Sequence, residues 1–298
     1  MMKEGYRSGF AAVIGRPNVG KSTLINTMVG EKISIISDKP QTTRNSIRAI
    51  YTTGDFQLVF IDTPGIHKPK NKLGDYMVKI AQASLNEVDV IVYVVEAGGS
   101  VGRGDENILE MLKGVKTPII LAINKVDLVD RDRADELVEK FRNRLDFSDI
   151  IPISAVRGDN LNILRGAIVE KLPEGPQYFP DDMVTDHPEK FIVSEIVREK
   201  ALNLLDQEVP HGIAVEVEQM EEDEGANLIR INANLYCERE SHKRIIIGKG
   251  GHMLKRIGTL ARVDLENLFG CRIYLNLWVK VKKDWRDVPG SLHMFGYQ

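Results

Sequence analysis

The segment GRPNVGKS, residues 15–22, constrains the fold of this chain more than any other part of the sequence. It matches the pattern Gly-x-x-x-x-Gly-Lys-Ser and stands between an apolar segment, FAAVI, and a helix-favouring segment, STLINTMV. The two glycines let the backbone approach an anion closely, and the amides at the start of the following helix can bind it. The pattern therefore predicts a phosphate-binding loop between a strand and a helix.

Short apolar runs alternate with amphipathic segments from residue 10 to residue 171. Near-continuous apolar strands alternating with helices are typical of a mainly parallel sheet with helices on both faces, and ligands bind at the carboxyl ends of its strands. Residues 172–189 contain four prolines, which resist helix continuation. We therefore predict an α/β domain over residues 1–172, a connecting segment over 173–189 and a second domain over 190–298.

The second domain has a different pattern of apolar residues. A helix is predicted over 190–207, alternating strands over 212–219 and 227–236, and two helices over 241–269 that are broken at GKGG. A further alternating strand, RIYLNLWVKV, follows. The order helix, strand, strand, helix, helix, strand predicts a compact α+β unit.

The phosphate-binding loop carries the residue types that a nucleoside triphosphate with Mg²⁺ needs. Lys21 is expected to reach the β- and γ-phosphates, and Ser22 to offer its hydroxyl to Mg²⁺. Asp62 ends an apolar strand in the segment DTPG and suits Mg²⁺ as a carboxylate ligand, while the amide of Gly65 suits the γ-phosphate. The predicted phosphate-binding residues are Gly15, Arg16, Pro17, Asn18, Val19, Gly20, Lys21, Ser22 and Thr23.

The polar segment SDKPQTTRNS, residues 37–46, favours a mobile loop. Either Thr42 or Thr43 is predicted to ligate Mg²⁺ when the γ-phosphate is bound, which would order the loop and release it on hydrolysis. A plain surface loop is the alternative. The predicted Mg²⁺ ligands are Ser22, Thr43 and Asp62.

The segment NKVD, residues 124–127, indicates which base is bound. The carboxylate of Asp127 can accept hydrogen bonds from N1 and the 2-amino group of guanine, whereas adenine has neither donor and would leave it unpaired. Asn124 is expected to brace the loop and Lys125 to lie along the base. Ser154 and Ala155, which end the next apolar run, are expected to place an amide near guanine O6. Together these segments predict a GTP site.

Charge is distributed unevenly along a chain whose formal net charge is −3. Residues 181–224 carry 14 Asp and Glu against three Lys and Arg, while residues 236–286 carry 12 Lys and Arg against five Asp and Glu. The basic part contains GKGG, residues 248–251, a Gly-x-x-Gly loop that can clamp a single-stranded RNA backbone. A merely solvated charged face is the alternative. The predicted RNA-binding residues are Lys243, Arg244, Gly248, Lys249, Gly250, Gly251, Lys255 and Arg256.

Aromatic residues near this loop are candidates for stacking on bases. They are Tyr274, Trp278 and Trp285, with packing on the outer surface as the alternative for Trp278. The acidic segment 216–225 would repel RNA, and we expect it to form a charged hairpin edge that faces away from the groove.

The segments GRPNVGKS, QTTR, DTPG, NKVD and SA resemble those of translation-factor-related GTPases that act in ribosome assembly. The order of elements around GKGG is similar to that of a type II KH domain, and a GTPase domain followed by one KH domain resembles the Era family over essentially the whole chain. The resemblance implies an α/β P-loop GTPase domain followed by an α+β KH domain. It also implies hydrolysis of GTP to GDP, binding to the 3′ end of 16S rRNA and a role in assembly of the 30S subunit.

Ile66 stands where Ras-like proteins carry a glutamine that orients the attacking water, and its side chain cannot hydrogen-bond. In several relatives with a hydrophobic residue at this position, a K⁺ ion beside the phosphates is held by an asparagine of the phosphate-binding loop, and Asn18 occupies the matching place. The resemblance therefore implies K⁺ as a second cofactor beside Mg²⁺, with a purely structural role of Asn18 in the turn as the alternative. The predicted catalytic residues are Asn18, Lys21, Thr42, Thr43 and Gly65.

The remaining features concern location and partners. Cys237 and Cys271 lack the spacing of a zinc site or a disulfide framework. The N-terminal segment lacks a signal-peptide core, and the longest apolar runs are far shorter than the roughly 20 residues of a membrane-spanning helix. We expect a cytoplasmic monomer that binds GTP and GDP, 16S rRNA and the small ribosomal subunit. The alternatives are peripheral membrane contact through the basic face and a small-molecule kinase, which NKVD disfavours.

Overall fold

The computed structural model describes residues 5–39, 41–66 and 68–297, and these fall into two compact units. The first unit takes the chain up to Ser34, Thr43–Lys68 and Met77–Asp186. The second unit takes Ile35–Thr42, Pro69–Tyr76 and the chain from His187. The boundary after Asp186 falls inside the predicted connecting segment. Two short segments of the predicted first domain belong to the second unit.

A sheet forms the centre of the first unit. Its described strands are β1 (Arg7–Ile14), β2 (Ile47–Thr52), β3 (Phe56–Asp62), β4 (Val90–Glu96), β5 (Ile119–Asn124) and β6 (Asp149–Pro152). They are ordered β2-β3-β1-β4-β5-β6, and every neighbouring pair is parallel except β2 with β3. The predicted mainly parallel α/β sheet is confirmed.

Helices pack on this sheet. They are α1 (Lys21–Val29), the part of α2 (Lys72–Ala83) from Met77 onward, α3 (Arg103–Leu112), α4 (Arg131–Arg142) and α5 (Leu161–Lys171). On one face of β4, Ile91 and Tyr93 join an apolar cluster with Ile108 of α3 and Phe141 of α4. Val92 and Val94, which point to the other face, are also fully buried. Both faces of the central strands are therefore covered, which explains why these strands are apolar along almost their whole length.

The predicted connecting segment is anchored along most of its length, since residues 173–186 belong to the first unit. The amide of Ile50 in β2 donates to the carbonyl oxygen of Val184 at 2.9 Å, and Arg48 forms an ion pair with Asp186 at 2.6 Å. Because β2 is an edge strand, this segment satisfies backbone groups that would otherwise face solvent.

The second unit contains a sheet with the described strands β7 (Ala214–Asp223), β8 (Leu228–Cys237) and β9 (Arg272–Val281). Its described helices from residue 187 onward are α6 (Glu189–Leu204), α7 (Glu240–Ile247), α8 (His252–Phe269) and α9 (Pro289–Met294). The sheet order is β7-β8-β9, with the first pair antiparallel and the second parallel. The predicted α+β order is confirmed, with α9 as an addition, and the acidic segment 216–225 runs along the edge strand β7.

Within the described ranges, no helix is both long and apolar enough to cross a membrane.

Candidate functional site

Two glycines of the phosphate-binding loop lie where a side chain would collide. A Cβ on Gly15 would lie 2.4 Å from the carbonyl oxygen of Val94, and a Cβ on Gly20, whose φ is 98°, would lie 2.3 Å from Nδ2 of Asn124. Strand β1 leads into this loop, and α1 begins at Lys21 directly after it. The unpaired amides at the start of α1 are therefore offered at the loop, where they suit phosphate oxygens.

Lys21 is buried at the base of the loop and only 6% exposed. Its ammonium donates hydrogen bonds to the carbonyl oxygens of Gly15 at 3.2 Å and Arg16 at 2.9 Å. Burial lowers the pKa of Lys21 to about 8, and the nearby Asp62 carboxylate opposes this shift. A buried ammonium bonded to neutral carbonyls is poorly compensated, so an anionic phosphate is a more favourable partner for it.

Ser22, Thr43 and Asp62 come together beside the loop. The Ser22 hydroxyl donates to Oδ2 of Asp62 at 2.7 Å, and the Thr43 hydroxyl lies 3.1 Å from Ser22 Oγ and 3.5 Å from the same carboxylate oxygen. Burial raises the pKa of Asp62, whose Oδ1 is buried with no hydrogen-bond partner among the described residues. Two hydroxyls and an under-bonded carboxylate form an all-oxygen donor set, which Mg²⁺ prefers.

The hydroxyl of Thr42 has a different partner. Its hydroxyl donates to the carbonyl oxygen of Lys39 at 2.6 Å, and the residue belongs to the second unit. Of the two threonines that the sequence left open, Thr43 is therefore the one placed with the other predicted Mg²⁺ ligands.

Gly65 and Ile66 have separate surroundings. A Cβ on Gly65 would lie 2.8 Å from the nitrogen of Pro17, so this backbone packs directly against the phosphate-binding loop. The Ile66 side chain is 6% exposed and joins an apolar cluster with Ala12 and Ile14. Residue 66 therefore serves the core and presents no group to an attacking water.

Asn124 joins two of the predicted nucleotide-binding segments. Its side chain is buried, with Nδ2 donating to the carbonyl oxygen of Val19 at 2.8 Å and Oδ1 accepting from the amide of Ala155 at 2.9 Å. The bracing role expected for Asn124 is thus visible as a pair of buried hydrogen bonds between the phosphate-binding loop and the loop after β6.

Asp127 and Lys125 lie on the more exposed side of this region. The hydroxyl of Ser154 donates to Oδ1 of Asp127 at 2.6 Å, and this bond lowers the pKa of the Asp127 carboxyl. Asp127 is therefore an ionised acceptor held in a fixed orientation. The ammonium of Lys125 donates to the carbonyl oxygen of Asn18 at 2.9 Å and pairs with Glu96 at 3.0 Å.

Other loop residues differ in where their side chains point. Arg16 turns toward α3, where its Nε lies 3.2 Å from Oδ1 of Asp105, so it can contact phosphate through its main chain. Asn18 is exposed with a φ of 65°, and Thr23 lies half-buried in the first turn of α1. Asp105 also accepts a hydrogen bond from the buried hydroxyl of Tyr93 at 3.0 Å. No pattern in the sequence predicted that Asp105 and Tyr93 would hold the side chain of Arg16.

In the second unit, α8 and the edge strand β9 border a groove of about 430 Å³. Gly251 and Lys255, both predicted to bind RNA, line it. Arg262, Tyr274 and Asn276 line it as well. Arg262 and Asn276 were missed by the sequence analysis, although Arg262 lies seven residues after Lys255 and thus on the same face of a helix.

The GKGG loop has a backbone that favours glycine. Gly248, Gly250 and Gly251 have φ values of 72°, 60° and 79°. A Cβ on Gly248 would lie 2.8 Å from the Cβ of Met253, whereas open space surrounds Gly250 and Gly251. Lys249 is exposed at the loop. Lys243, Arg244 and Arg256 lie on α7 and α8 beside the loop and outside the described lining of the groove.

The expectation that Trp285 stacks on bases is wrong. Its ring is fully buried and its Nε1 donates to the carbonyl oxygen of Gly212 at 2.8 Å, so it is a core residue. Tyr274 and Trp278 are 51% and 48% exposed and stay candidates. The guanidinium of Arg230 lies 5.8 Å from the centre of the Tyr274 ring, which holds a cation beside that aromatic face.

Comparisons with known proteins agree with this arrangement. A family described as 50S ribosome-binding GTPase matches residues 10–125, and the KH domain family matches residues 208–286. GTPase Era of Alkaliphilus oremlandii is 55% identical over 292 residues, which cover 98% of this chain and 99% of that protein. The crystal structure of an Aquifex aeolicus Era variant bound to GDP and AlF4⁻ has a TM-score of 0.92 at 42% identity, covering 98% of this chain and 99% of that chain. The crystal structure of Era with MgGDPNP and nucleotides 1506–1542 of 16S ribosomal RNA gives the same TM-score, identity and coverage.

Proposed function

This chain belongs to the Era family of GTPases, and from that premise we propose that it uses GTP as a switch while binding the 3′ end of 16S rRNA. It is a GTPase, with a P-loop GTPase domain and a KH domain. The observation that carries the proposal is the assembly of one site from separate segments: Lys21 and the Ser22–Asp62–Thr43 cluster at one end, Asp127 at the other, and Asn124 bonded between them.

We propose that Ser22, Thr43 and Asp62 hold Mg²⁺. The unpartnered Oδ1 of Asp62 and the two hydroxyls within 3.5 Å of its Oδ2 support this assignment. Mg²⁺, when bound, neutralises charge on the β- and γ-phosphates. Lys21 would add a positive charge at the same phosphates, and the backbone of Gly65 packs against the phosphate-binding loop, where its amide would serve the γ-phosphate. A related Era structure contains MgGDPNP.

Guanine is selected by the oriented carboxylate of Asp127. Adenine would leave this acceptor without a donor, and a site built around a specific hydrogen bond rejects analogues that lack it by a factor of about 10⁴ or more. The test is competition against a fluorescent GDP analogue. We expect GTP and GDP to displace the probe at concentrations at least a hundredfold below those of ATP and ADP, and equal displacement by ATP would contradict the proposed base site.

Water cannot be oriented by the buried side chain of Ile66, so we propose that a K⁺ ion held with the help of Asn18 stabilises charge that develops between the phosphates. The exposed position of Asn18 on the phosphate-binding loop supports this assignment. Phosphate release is compared in KCl and NaCl at matched ionic strength, for the wild type and for Asn18→Gly, which accommodates the φ of 65° but lacks the side-chain oxygen. Stimulation by K⁺ that is lost in the variant is expected, and equal turnover of the wild type in both salts would contradict the role of K⁺.

We propose that RNA binds in the groove between α8 and β9, with the GKGG loop clamping its backbone. Lys255 and Arg262 supply positive charge along the groove, and Tyr274 supplies an exposed aromatic ring. Lys249→Ala is expected to weaken binding of single-stranded RNA and to leave GTP affinity unchanged, with the exposed Lys113→Ala as a control. Loss of both activities in Lys249→Ala would argue against two separable sites.

The cellular role that we propose is assembly of the 30S subunit by a cytoplasmic monomer. The related complex with nucleotides 1506–1542 of 16S ribosomal RNA supports the choice of RNA. Crosslinking in cells, followed by sequencing of the bound RNA, is expected to give one peak at the 3′ end of 16S rRNA. Diffuse crosslinks would contradict this role while leaving the GTP site intact.

A further inference from the structure

Arg16 connects the phosphate-binding loop to the start of α3. Its Nε lies 3.2 Å from Oδ1 of Asp105, and its carbonyl oxygen accepts a hydrogen bond from the ammonium of Lys21 at 2.9 Å. All three residues belong to the first unit. One residue of the loop is therefore tied to a helix through its side chain and to the buried lysine through its main chain.

Asp105 is held in place from two sides and is only 2% exposed. Its Oδ1 accepts a hydrogen bond from the hydroxyl of Tyr93 at 3.0 Å, and its Oδ2 accepts one from the amide of Gly102 at 3.0 Å. Burial, together with the charge of Asp105, raises the pKa of Tyr93, so this hydroxyl stays a donor. Strand β4 and the start of α3 thus fix the carboxylate that pairs with Arg16.

Three glycines receive the side chain of Arg16, and we call them the glycine cradle. An added Cβ would lie 3.4 Å from Nη2 of Arg16 at Gly99, 3.5 Å from Nη1 at Gly102 and 2.8 Å from Cδ at Gly104. These close approaches run from the middle of the side chain to the guanidinium. The segment 99–104 therefore leaves room for Arg16 along its length and directs it toward Asp105.

We propose that Asp105 is a positioning residue for nucleotide binding: by fixing Arg16 in the glycine cradle, it holds the first part of the phosphate-binding loop in the conformation that receives phosphate. A loop that is ordered in advance loses less conformational entropy when a nucleotide binds. Asp105 acts through Arg16 and has no assigned contact with the nucleotide. This inference rests on the proposed function, since it takes the loop to bind the phosphates of GTP and GDP.

The first test fills the glycine cradle and leaves both charged residues in the chain. Gly104 lies in the first turn of α3 and has no positive φ, so Gly104→Ala suits the backbone and by itself favours the helix. The added Cβ would collide with Cδ of Arg16, a flexible side chain that can move away without a shift of the backbone. Arg16 would then leave its place beside Asp105.

We expect Gly104→Ala to separate affinity from stability. The dissociation constant of a fluorescent GDP analogue should rise about fivefold to tenfold, as loss of a partly exposed charged contact implies. The melting temperature should stay within about three degrees of the wild type. A residue that only stabilised the fold would lower the affinity together with the melting temperature.

Gly166→Ala is the matched control. Gly166 is an exposed glycine inside α5, and open space surrounds the position of its added Cβ. Its GDP affinity should equal that of the wild type. The proposal is overturned if Gly104→Ala binds GDP as tightly as Gly166→Ala, or if its loss of affinity comes with a fall in melting temperature of more than about three degrees.

Two substitutions of Arg16 keep the test decisive should Gly104→Ala fail to fold. Arg16→Met keeps an apolar side chain in the glycine cradle but carries no charge, so GDP affinity should fall about fivefold to tenfold. Arg16→Lys can still place a cation beside Asp105, because the contact uses Nε and does not need the guanidinium fork. It should bind GDP at least about threefold more tightly than Arg16→Met. Equal affinities of these two variants would overturn the proposal.

A double-mutant cycle tests whether Asp105 acts through Arg16. Asp105→Asn should lower GDP affinity by a factor similar to that of Arg16→Met, and the two losses should not add, because both remove the same contact. Additive losses would overturn the positioning role.

Lys21→Ala separates failure of this inference from failure of the phosphate site itself. It should weaken GDP binding about tenfold or more, as loss of a charged partner of the phosphates implies. If Lys21→Ala binds GDP like the wild type, the proposed phosphate site is wrong and the inference falls with it. If Lys21→Ala loses affinity while Gly104→Ala and Arg16→Met do not, the site stands and the role of Asp105 is overturned.

Discussion

Replacement of Asn124 by alanine removes the buried link between the phosphate-binding loop and the loop after β6. The carbonyl oxygen of Val19 and the amide of Ala155 each lose their hydrogen-bond partner. Both residues are buried, with 2% of Val19 and 1% of Ala155 exposed. A buried polar group left unpaired costs about 1–3 kcal/mol. Water that enters the space of the deleted amide recovers part of this free energy. We therefore expect the two unpaired groups together to cost about 2–4 kcal/mol.

In the site proposed above, GTP and GDP contact both loops at once, so loosening of the link between the loops lowers the nucleotide affinity. A loss of 2–4 kcal/mol corresponds to a fall in affinity of about 30- to 1000-fold. The loss should be similar for GDP and GDPNP, since the base and the first phosphates are common to both. Association and dissociation of a fluorescent GDP analogue measure it directly.

The control for Asn124→Ala is Asn162→Ala, which removes an exposed amide that bonds to Arg165 at 2.7 Å. Its GDP affinity should equal that of the wild type. A GDP affinity of Asn124→Ala within threefold of the wild type would contradict this expectation, because it would mean that the buried link does not hold the two loops together.

Three further predictions follow from burial and backbone geometry. Ile66→Gln places an amide in an apolar cluster, so it should lower the melting temperature by several degrees. It should not accelerate phosphate release, and faster turnover would contradict the core role of Ile66. Gly248→Ala should lower the melting temperature more than Gly250→Ala. Both glycines have a positive φ, but only at Gly248 would the added Cβ lie 2.8 Å from the Cβ of Met253. Equal melting temperatures would contradict a steric cost at this contact. Burial raises the pKa of the Cys237 thiol to about 11, so at pH 8 its thiolate fraction falls about a hundredfold below that of an ordinary thiol. Alkylation should thus modify Cys271 first, and mass spectrometry showing equal modification of Cys237 would refute this.

The sequence alone predicts those parts of the fold in which a local pattern has one physical outcome. The apolar runs that become β4 and β5 could be recognised because strands covered on both faces must be apolar throughout. The loop glycines were recognised because close approach to phosphate excludes a side chain. Asn124 was expected to brace its loop, and the structure shows the two bonds by which it does so.

Other features depend on distant contacts, which a single sequence does not show. Nothing in the local sequence distinguishes Trp285 from Trp278 as a candidate for stacking on bases. Trp285 is buried because a C-terminal segment packs against its ring, and no local pattern predicts the position of that segment. The prolines of residues 173–186 predict a connection, yet this segment is hydrogen-bonded to β1 near its start and to β2 near its end. The guanidinium of Arg198 donates a hydrogen bond to the carbonyl oxygen of Thr42, which lies 156 residues earlier in the chain, so no spacing rule could predict this contact.

The choice between Thr42 and Thr43 shows the same limit at closer range. The side chains of adjacent residues in an extended loop point in opposite directions. The sequence was therefore compatible with either Thr42 or Thr43 pointing toward the Mg²⁺ ligands. The structure places Thr43 beside Asp62 and gives the Thr42 hydroxyl to Lys39.

We propose that GTP binding to this chain is coupled to its recognition of the 3′ end of 16S rRNA. The most direct measurement is fluorescence anisotropy of labelled RNA corresponding to nucleotides 1506–1542, titrated with the protein in GDPNP and in GDP at fixed salt. We expect the protein to bind this RNA at least tenfold more tightly than a scrambled RNA of equal length, and more tightly in GDPNP than in GDP. Equal affinity for the two RNAs, or no dependence on the nucleotide, would contradict it.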